Sequence, residues 1–185
     1  MAGLYLLPLG GIELSVLRSA EQSLSEAFNL EVKIDPRKID VQLSYDSVRN
    51  QYHSAKLLTA IIHQPPPDAL KVLGLIDLDL FLPIFTFLFG EAQLNGLGAL
   101  LSTVRLHNRF YGLREDEQLF HQRLKKEAIH ELGHTFGLLH CIDPACVMRS
   151  STYVEEVDLK NAEFCRNCER KIQAQIPGRK RFGLW

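Results

Sequence analysis

His130-Glu131-Leu132-Gly133-His134-Thr135-Phe136-Gly137-Leu138-Leu139-His140 is the stretch that decides how the rest of this chain is read. It fits the pattern H-E-x-x-H-x-x-G-x-x-H at every fixed position. Histidines four apart stand one above the other on one helical face, so two imidazole nitrogens can reach one zinc ion at roughly 2.0 to 2.1 Å. Gly137 can take the left-handed conformation that ends a helix, which turns the chain back and offers His140 as a third ligand. Three protein ligands leave a fourth position open. Water held there becomes acidic near neutral pH, and Glu131 is placed to take its proton as it attacks a peptide carbonyl, then to pass that proton to the leaving amine. A lone histidine is more often an ordinary side chain than a ligand, but with 7 histidines and 12 glycines in 185 residues a chance match to the full pattern is rare. His53, His63, His107 and His121 lack such spacing and stay unassigned.

Immediately downstream lie all four cysteines, Cys141-x4-Cys146 and Cys165-x2-Cys168. Two short pairs separated by 18 residues suit a tetrahedral zinc held by four thiolates, which is usually a closed, structural site. Two disulfides, disfavoured by the reducing compartment expected of a chain read as having no secretion signal, and an iron–sulfur cluster, which also uses four cysteines, are the alternatives. Cys141 directly follows His140, so the third ligand of one metal is covalently next to the first ligand of another. The two sites are therefore expected to be coupled, with the second zinc fixing where His140 points.

Upstream of the motif the pattern is helical. From Glu115 onward, Leu119, Phe120, Leu124, Ala128, Ile129, Leu132 and Phe136 keep one apolar face through about six turns of 3.6 residues. Further back, residues 3–9 read as an apolar strand and Glu13 to Leu30 as a helix. Val32 to Leu43 suggests a second strand with its loop, and Asn50 to His63 a second helix carrying Tyr52, Ala55, Leu58 and Ile62 on one face. Lys71 to Leu78 suits a central strand. Phe85 to Leu106 holds two extended runs joined around Asn95-Gly96-Leu97-Gly98, a hairpin signal. The βαβα alternation implies a mixed twisted sheet covered by helices, in the α/β (α+β) class. One domain is expected: an N-terminal lobe over residues 1–137 with the sheet and the long zinc-binding helix, and a small zinc-stabilised C-terminal lobe over 138–185, too short to hold a core of its own.

Lys plus Arg number 21 against 22 Asp plus Glu, so no global field favours nucleic acid or an anionic membrane. The N-terminal run MAGLYLLPLGGIEL has no cationic leader and is broken by Pro8, Gly10 and Gly11, so it reads as a buried strand rather than a signal peptide. The best candidate membrane span, Leu73 to Phe89, contains Asp77, Asp79 and Pro83. A cytoplasmic, monomeric protein is expected. The tail cluster Arg179-Lys180-Arg181 reads as a solvated terminus.

The long histidine motif, a cysteine directly after its last histidine, Cys146-Val147-Met148 and a later Cys-x-x-Cys together make residues 130–168 resemble the archaemetzincin family of the metzincins. The resemblance implies a catalytic zinc on His130, His134 and His140, Glu131 as general base, and a second, structural zinc on Cys141, Cys146, Cys165 and Cys168. It also implies that Met148, eight residues past His140, forms the turn beneath the metal, and that substrate pairs with an exposed sheet edge, for which Gly98 to Leu106 is the candidate strand; its mostly apolar run from Leu97 to Val104 reads equally well as a strand buried in the sheet. Ser150 stands where other metzincin branches carry a tyrosine two residues after the turn methionine, and Tyr153 is a weak substitute. The leading reading is hydrolysis of peptides or proteins, with aminopeptidase action as one form of it. A catalytically quiet, zinc-containing peptide-binding protein is the alternative, and a zinc-stabilised nucleic-acid module a third that neutral charge argues against.

Overall fold

The first strand, β1 (Gly3–Leu9), is apolar on both faces because it lies inside a parallel sheet with helices above and below. The computed structural model describes residues 2–176, and the basic cluster Arg179-Lys180-Arg181 lies outside them. After β1 come α1 (Leu14–Phe28), β2 (Val32–Ile34), β3 (Tyr45–Asp46), β4 (Gln51–His53) and α2 (Ser54–Ile62). Five strands follow: β5 (Ala69–Ile76), β6 (Leu80–Leu82), β7 (Phe85–Leu88), β8 (Gly90–Ala92) and β9 (Gly98–Ser102). Three helices complete the described residues: α3 (Glu117–Thr135), α4 (Val154–Leu159) and α5 (Arg166–Gln175).

The main sheet has the order β2-β1-β5-β9-β8. Its first four strands are parallel, with Leu6 opposite Leu73 and Leu73 opposite Ala99, while β8 runs antiparallel to β9 and sets Glu91 opposite Leu100. On one face, Leu24 and Phe28 of α1 and Leu124, Ala128 and Leu132 of α3 pack on Leu4, Leu6, Leu75 and Leu101. On the other, Leu57 and Ile61 of α2 meet Leu7, Val72, Ile76 and Leu100. Cys146, Val147, Met148, Val157, Cys168 and Ile172 join the α1–α3 side of this core, so the C-terminal segment packs on the motif helix and shares its apolar interior.

Three expectations need correction. Gly98 to Leu106 is not an exposed edge: β9 is buried throughout and lies between β5 and β8, so β8 forms the edge. The apolar run that made the segment look like a strand is what burial on both faces requires. The chain then leaves the sheet in 3₁₀ turns at Val104–Leu106 and Asn108–Tyr111. Second, the extended stretch before the hairpin is split at Phe89 between two sheets, because β3, β4, β6 and β7 form a small second sheet in the order β3-β4-β6-β7. Third, residues 51–53 are strand rather than helix, and only Val32–Ile34 of the expected second strand pairs. Strands of two to four residues carry too little alternation to be read from sequence.

Candidate metal centre

Helix α3 begins where Asp116 accepts a hydrogen bond from the backbone N–H of Leu119 at 2.9 Å, with Glu117 in the first turn facing the positive end of the helix dipole. It ends where expected. Gly137 has φ 85°, and its N–H and that of Leu138 return to the carbonyls of His134 and Gly133, a Schellman ending. A hairpin braces this end: the Asn95 N–H donates to His134 O at 2.9 Å, and Lys71 Nζ donates to both Gly96 O and Thr135 O at 2.7 Å.

The turn at Gly137 brings His140 back, so that ligand atoms of His130, His134 and His140 lie within 4.8 Å of one another. Their chemistry is more telling than their proximity. His130 Nδ1 is 2.9 Å from Val147 O and His134 Nδ1 is 2.7 Å from Leu138 O. A carbonyl can only accept, so each Nδ1 carries the proton and each Nε2 presents a lone pair. Those two Nε2 atoms stand 3.1 Å apart. Facing lone pairs at that distance repel unless a cation lies between them, and two nitrogens on one tetrahedral zinc stand about 3.3 Å apart. Burial, helped by the Lys160 ammonium, pushes His130 well below the ordinary histidine range, and burial also lowers His134 and His140. The set is neutral near pH 7, as metal ligation needs. Donation of the second ring nitrogen to a carbonyl is the usual way a ligating imidazole is oriented.

Met148 is fully buried beneath this group. Its sulfur packs so close to Gly133 that a Cβ at that position would come within 2.5 Å of Sδ, so a larger residue at this unspecified position of the motif would force Met148 to shift. The turn around Met148 reaches two histidine segments at once. Val147 O accepts from His130, and Met148 O accepts the Cys141 N–H, next to His140, at 2.9 Å.

Glu131 is 5 % exposed and lies against the edge strand β8, where a Cβ on Gly90 would come within 2.6 Å of its carboxylate. Burial first, and then the Glu127 carboxylate, raise Glu131 well above the ordinary carboxylate range, while Lys160 opposes them. A divalent cation on the histidines would also act to keep the carboxylate ionised.

The four cysteines carry free thiols whose sulfurs also fall within 4.8 Å of one another. Cys141 Sγ and Cys165 Sγ are 3.8 Å apart, the separation of two sulfurs sharing a tetrahedral zinc at about 2.3 Å. Backbone N–H donors, that of Cys168 first, lower Cys165 to about 7, whereas burial raises Cys146 and Cys168. The Cys165 thiolate forms readily near neutral pH, and a cation bound among the sulfurs would favour the thiolates of Cys146 and Cys168 against the cost of their burial.

A sequence model of peptidase family M54 matches residues 27–174. The chain belongs to that family. It is 40% identical over 172 residues to the archaemetzincin of Archaeoglobus fulgidus, covering 92% of this chain and 98% of that one. Its fold matches the crystal structure of the archaemetzincin from Methanopyrus kandleri with a TM-score of 0.82, at 36% identity and 94% coverage of both chains. A zinc-dependent peptidase structure from Methanocorpusculum labreanum matches with a TM-score of 0.82 at 29% identity, covering 92% of this chain and all of that one. The protein is accordingly an archaemetzincin and a zinc metallopeptidase, a hydrolase that acts on peptides. No helix among its described residues is long and apolar enough to cross a membrane.

Four residues of this archaemetzincin that shape the site were not legible beforehand: Gly90, Lys71, Glu127 and Lys160. Glu127 left a trace, since a carboxylate four residues before Glu131 on an otherwise buried face breaks the apolar pattern of α3. The other three act through tertiary contact alone. Among the unassigned histidines, His107 pairs with Glu115 at 2.8 Å and stacks on Phe120, while His53 precedes α2 as its N-cap. Tyr153 is 62% exposed and occupies the N-cap of α4.

Proposed function

We propose that this protein hydrolyses peptide bonds with His130, His134 and His140 holding a catalytic zinc, Glu131 acting as general base, and Cys141, Cys146, Cys165 and Cys168 holding a second, structural zinc. One observation carries the reading: two Nε2 lone pairs 3.1 Å apart, each locked in place by an Nδ1–H donated to a carbonyl. Bound there, zinc supplies a Lewis acid that polarises a peptide carbonyl and acidifies water.

The chain's own groups do the rest. His130 and His134 keep their tautomers because Val147 O and Leu138 O hold the protons on Nδ1. Glu131 takes a proton from the attacking water at its carboxylate and returns it to the nitrogen of the leaving amine. Its burial removes competing solvent. Substrate pairs with the free edge of β8. Ser102 N–H donates to Phe89 O and Gln93 N–H to Gly98 O, so Phe89 and Gln93 face β9. By the alternation of an antiparallel ladder, the backbone groups of Gly90 and Ala92 face outward. An extended peptide on that edge runs past Glu131, which touches Gly90.

The test combines metal content with turnover. The parent and Glu131→Gln are expected to bind the same two zinc ions per chain, and only the parent to cleave a mixed peptide library. Equal cleavage by both removes Glu131 from the mechanism. Zinc in both with cleavage by neither favours the peptide-binding reading. Including library members with blocked and free N-termini separates endopeptidase from aminopeptidase action.

A further inference from the structure

We propose that Lys160 is a positioning residue for the metal centre, fixing the Met148 turn against α3 through Glu127 and the carbonyl of Arg149. This rests on the histidine metal site proposed above. The Lys160 and Glu127 side chains are only 1% and 4% exposed, and their charged ends are 2.7 Å apart. Lys160 Nζ also donates to Arg149 O at 3.1 Å. Glu127 is one helical turn before Glu131 on α3, and Arg149 directly follows Met148.

Three successive carbonyls of the turn are thereby committed. Val147 O receives His130, Met148 O receives the N–H of Cys141 beside His140, and Arg149 O receives Lys160. The first two aim the first and third histidines. The third ties the turn to the helix carrying His130 and His134. A shift of this turn along α3 would therefore misalign His130 and His140 together.

The chemistry of the pair argues that alignment, rather than fold stability, is its role. Burying two opposite charges costs desolvation that their attraction roughly repays, and well-packed apolar replacements are often equally stable or more so. Other contacts already dock α4 on α3. Arg123 makes a bidentate pair with Asp158, both contacts at 2.7 Å, and Lys126 Nζ donates to the carbonyls of Val157 and Asp158 at 3.0 Å. The apolar packing of Val157 and Met148 is independent of Lys160's charge. What only Lys160 provides is a charge-assisted hydrogen bond that sets the turn's position.

The double variant Glu127→Leu/Lys160→Met separates the two roles. Its melting temperature is expected at or above that of the parent. Zinc release from the histidines to a mild chelator is expected to be at least tenfold faster, with cysteine-held zinc retained. With saturating zinc, kcat on a library-derived peptide falls at least tenfold while KM stays within threefold. A metal-independent readout is hydrogen exchange at the Cys141 amide, expected to be at least tenfold faster. Parent-like exchange at Cys141 overturns the proposal, as does zinc release within twofold of the parent. If the double variant does not fold, Glu127→Asp keeps both charges paired but draws Nζ away from Arg149 O. It is expected to fold and to speed Cys141 exchange at least threefold, and unchanged exchange there also overturns the idea. Absence of histidine-bound zinc in the parent would refute the preceding function instead, leaving the exchange result to decide this one.

Discussion

Replacing Gly90 with alanine tests how closely the edge strand and the Glu131 carboxylate proposed as the base depend on each other. The added Cβ would lie 2.6 Å from Glu131 Cδ and Oε1 and 2.7 Å from Cγ, where ordinary contact begins at 3.4 Å. Either the carboxylate or β8 must retreat by about 0.8 Å, and both are pinned: Glu131 by burial in α3, β8 by its ladder to β9. The backbone of Gly90 lies outside the left-handed region, so the effect is steric and not conformational. Displacements near ~1 Å at a reacting centre cost up to ~100-fold. A kcat loss of about 10- to 100-fold is expected, equivalent to about 1.4 to 2.7 kcal/mol of transition-state stabilisation. Overpacking also lowers fold stability by about 1–3 kcal/mol. The assay is steady-state cleavage of a peptide from the library, with zinc content measured alongside, since no histidine is touched. In a Glu131→Gln background the same substitution should cost little further activity, because two changes to one catalytic unit are not additive. Gly90→Ala with kcat within threefold of the parent and unchanged zinc would refute the reasoning.

Other consequences can be measured separately. Gly133→Ala would add helix propensity in isolation, but its Cβ meets Met148 Sδ at 2.5 Å, so a net loss of about 1–3 kcal/mol is expected. Adding Met148→Ala should remove that steric part, which thermal unfolding of both single variants and the double would reveal. Cys165→Ser touches none of the histidines yet is expected to weaken histidine-site zinc affinity about 10-fold, the low end of what orienting groups contribute. Full zinc retention by that variant would dismiss the coupling between the sites. The carboxyl of Asp68 is held down to about 2 by hydrogen bonds from Lys33 and Tyr5. Its folded value is depressed, so its stabilisation is present above about pH 4 and disappears as pH falls through about 2. Asp68→Asn should flatten that limb of the acid-unfolding curve; an unchanged limb would contradict it.

Much of the fold and site is legible along the chain because helices repeat every 3.6 residues and ligation has fixed spacings. His130 and His134 share a face for that reason, Gly137 ends α3 with φ 85° as its position implies, and the four cysteines converge. The turn at Asn95-Gly96 and the apolar strand after it, β9, were legible too. The edge strand was not. β8 is Gly90-Glu91-Ala92, three residues without strand propensity, whereas the apolar β9 reads as a strand and was mistaken for the edge. Apolar character reports burial, and an edge is by definition the less buried strand.

The sequence by itself therefore determined the family, the candidate donor atoms and the helix that presents two of the histidines among them, since each depends on residue type and local periodicity. Tertiary structure decided which strand flanks Glu131, that a side chain at Gly90 would crowd the Glu131 carboxylate, and that Lys160 reaches Glu127 across thirty-three residues. Those are contacts between segments distant along the chain, and no local rule of spacing encodes how such segments pack.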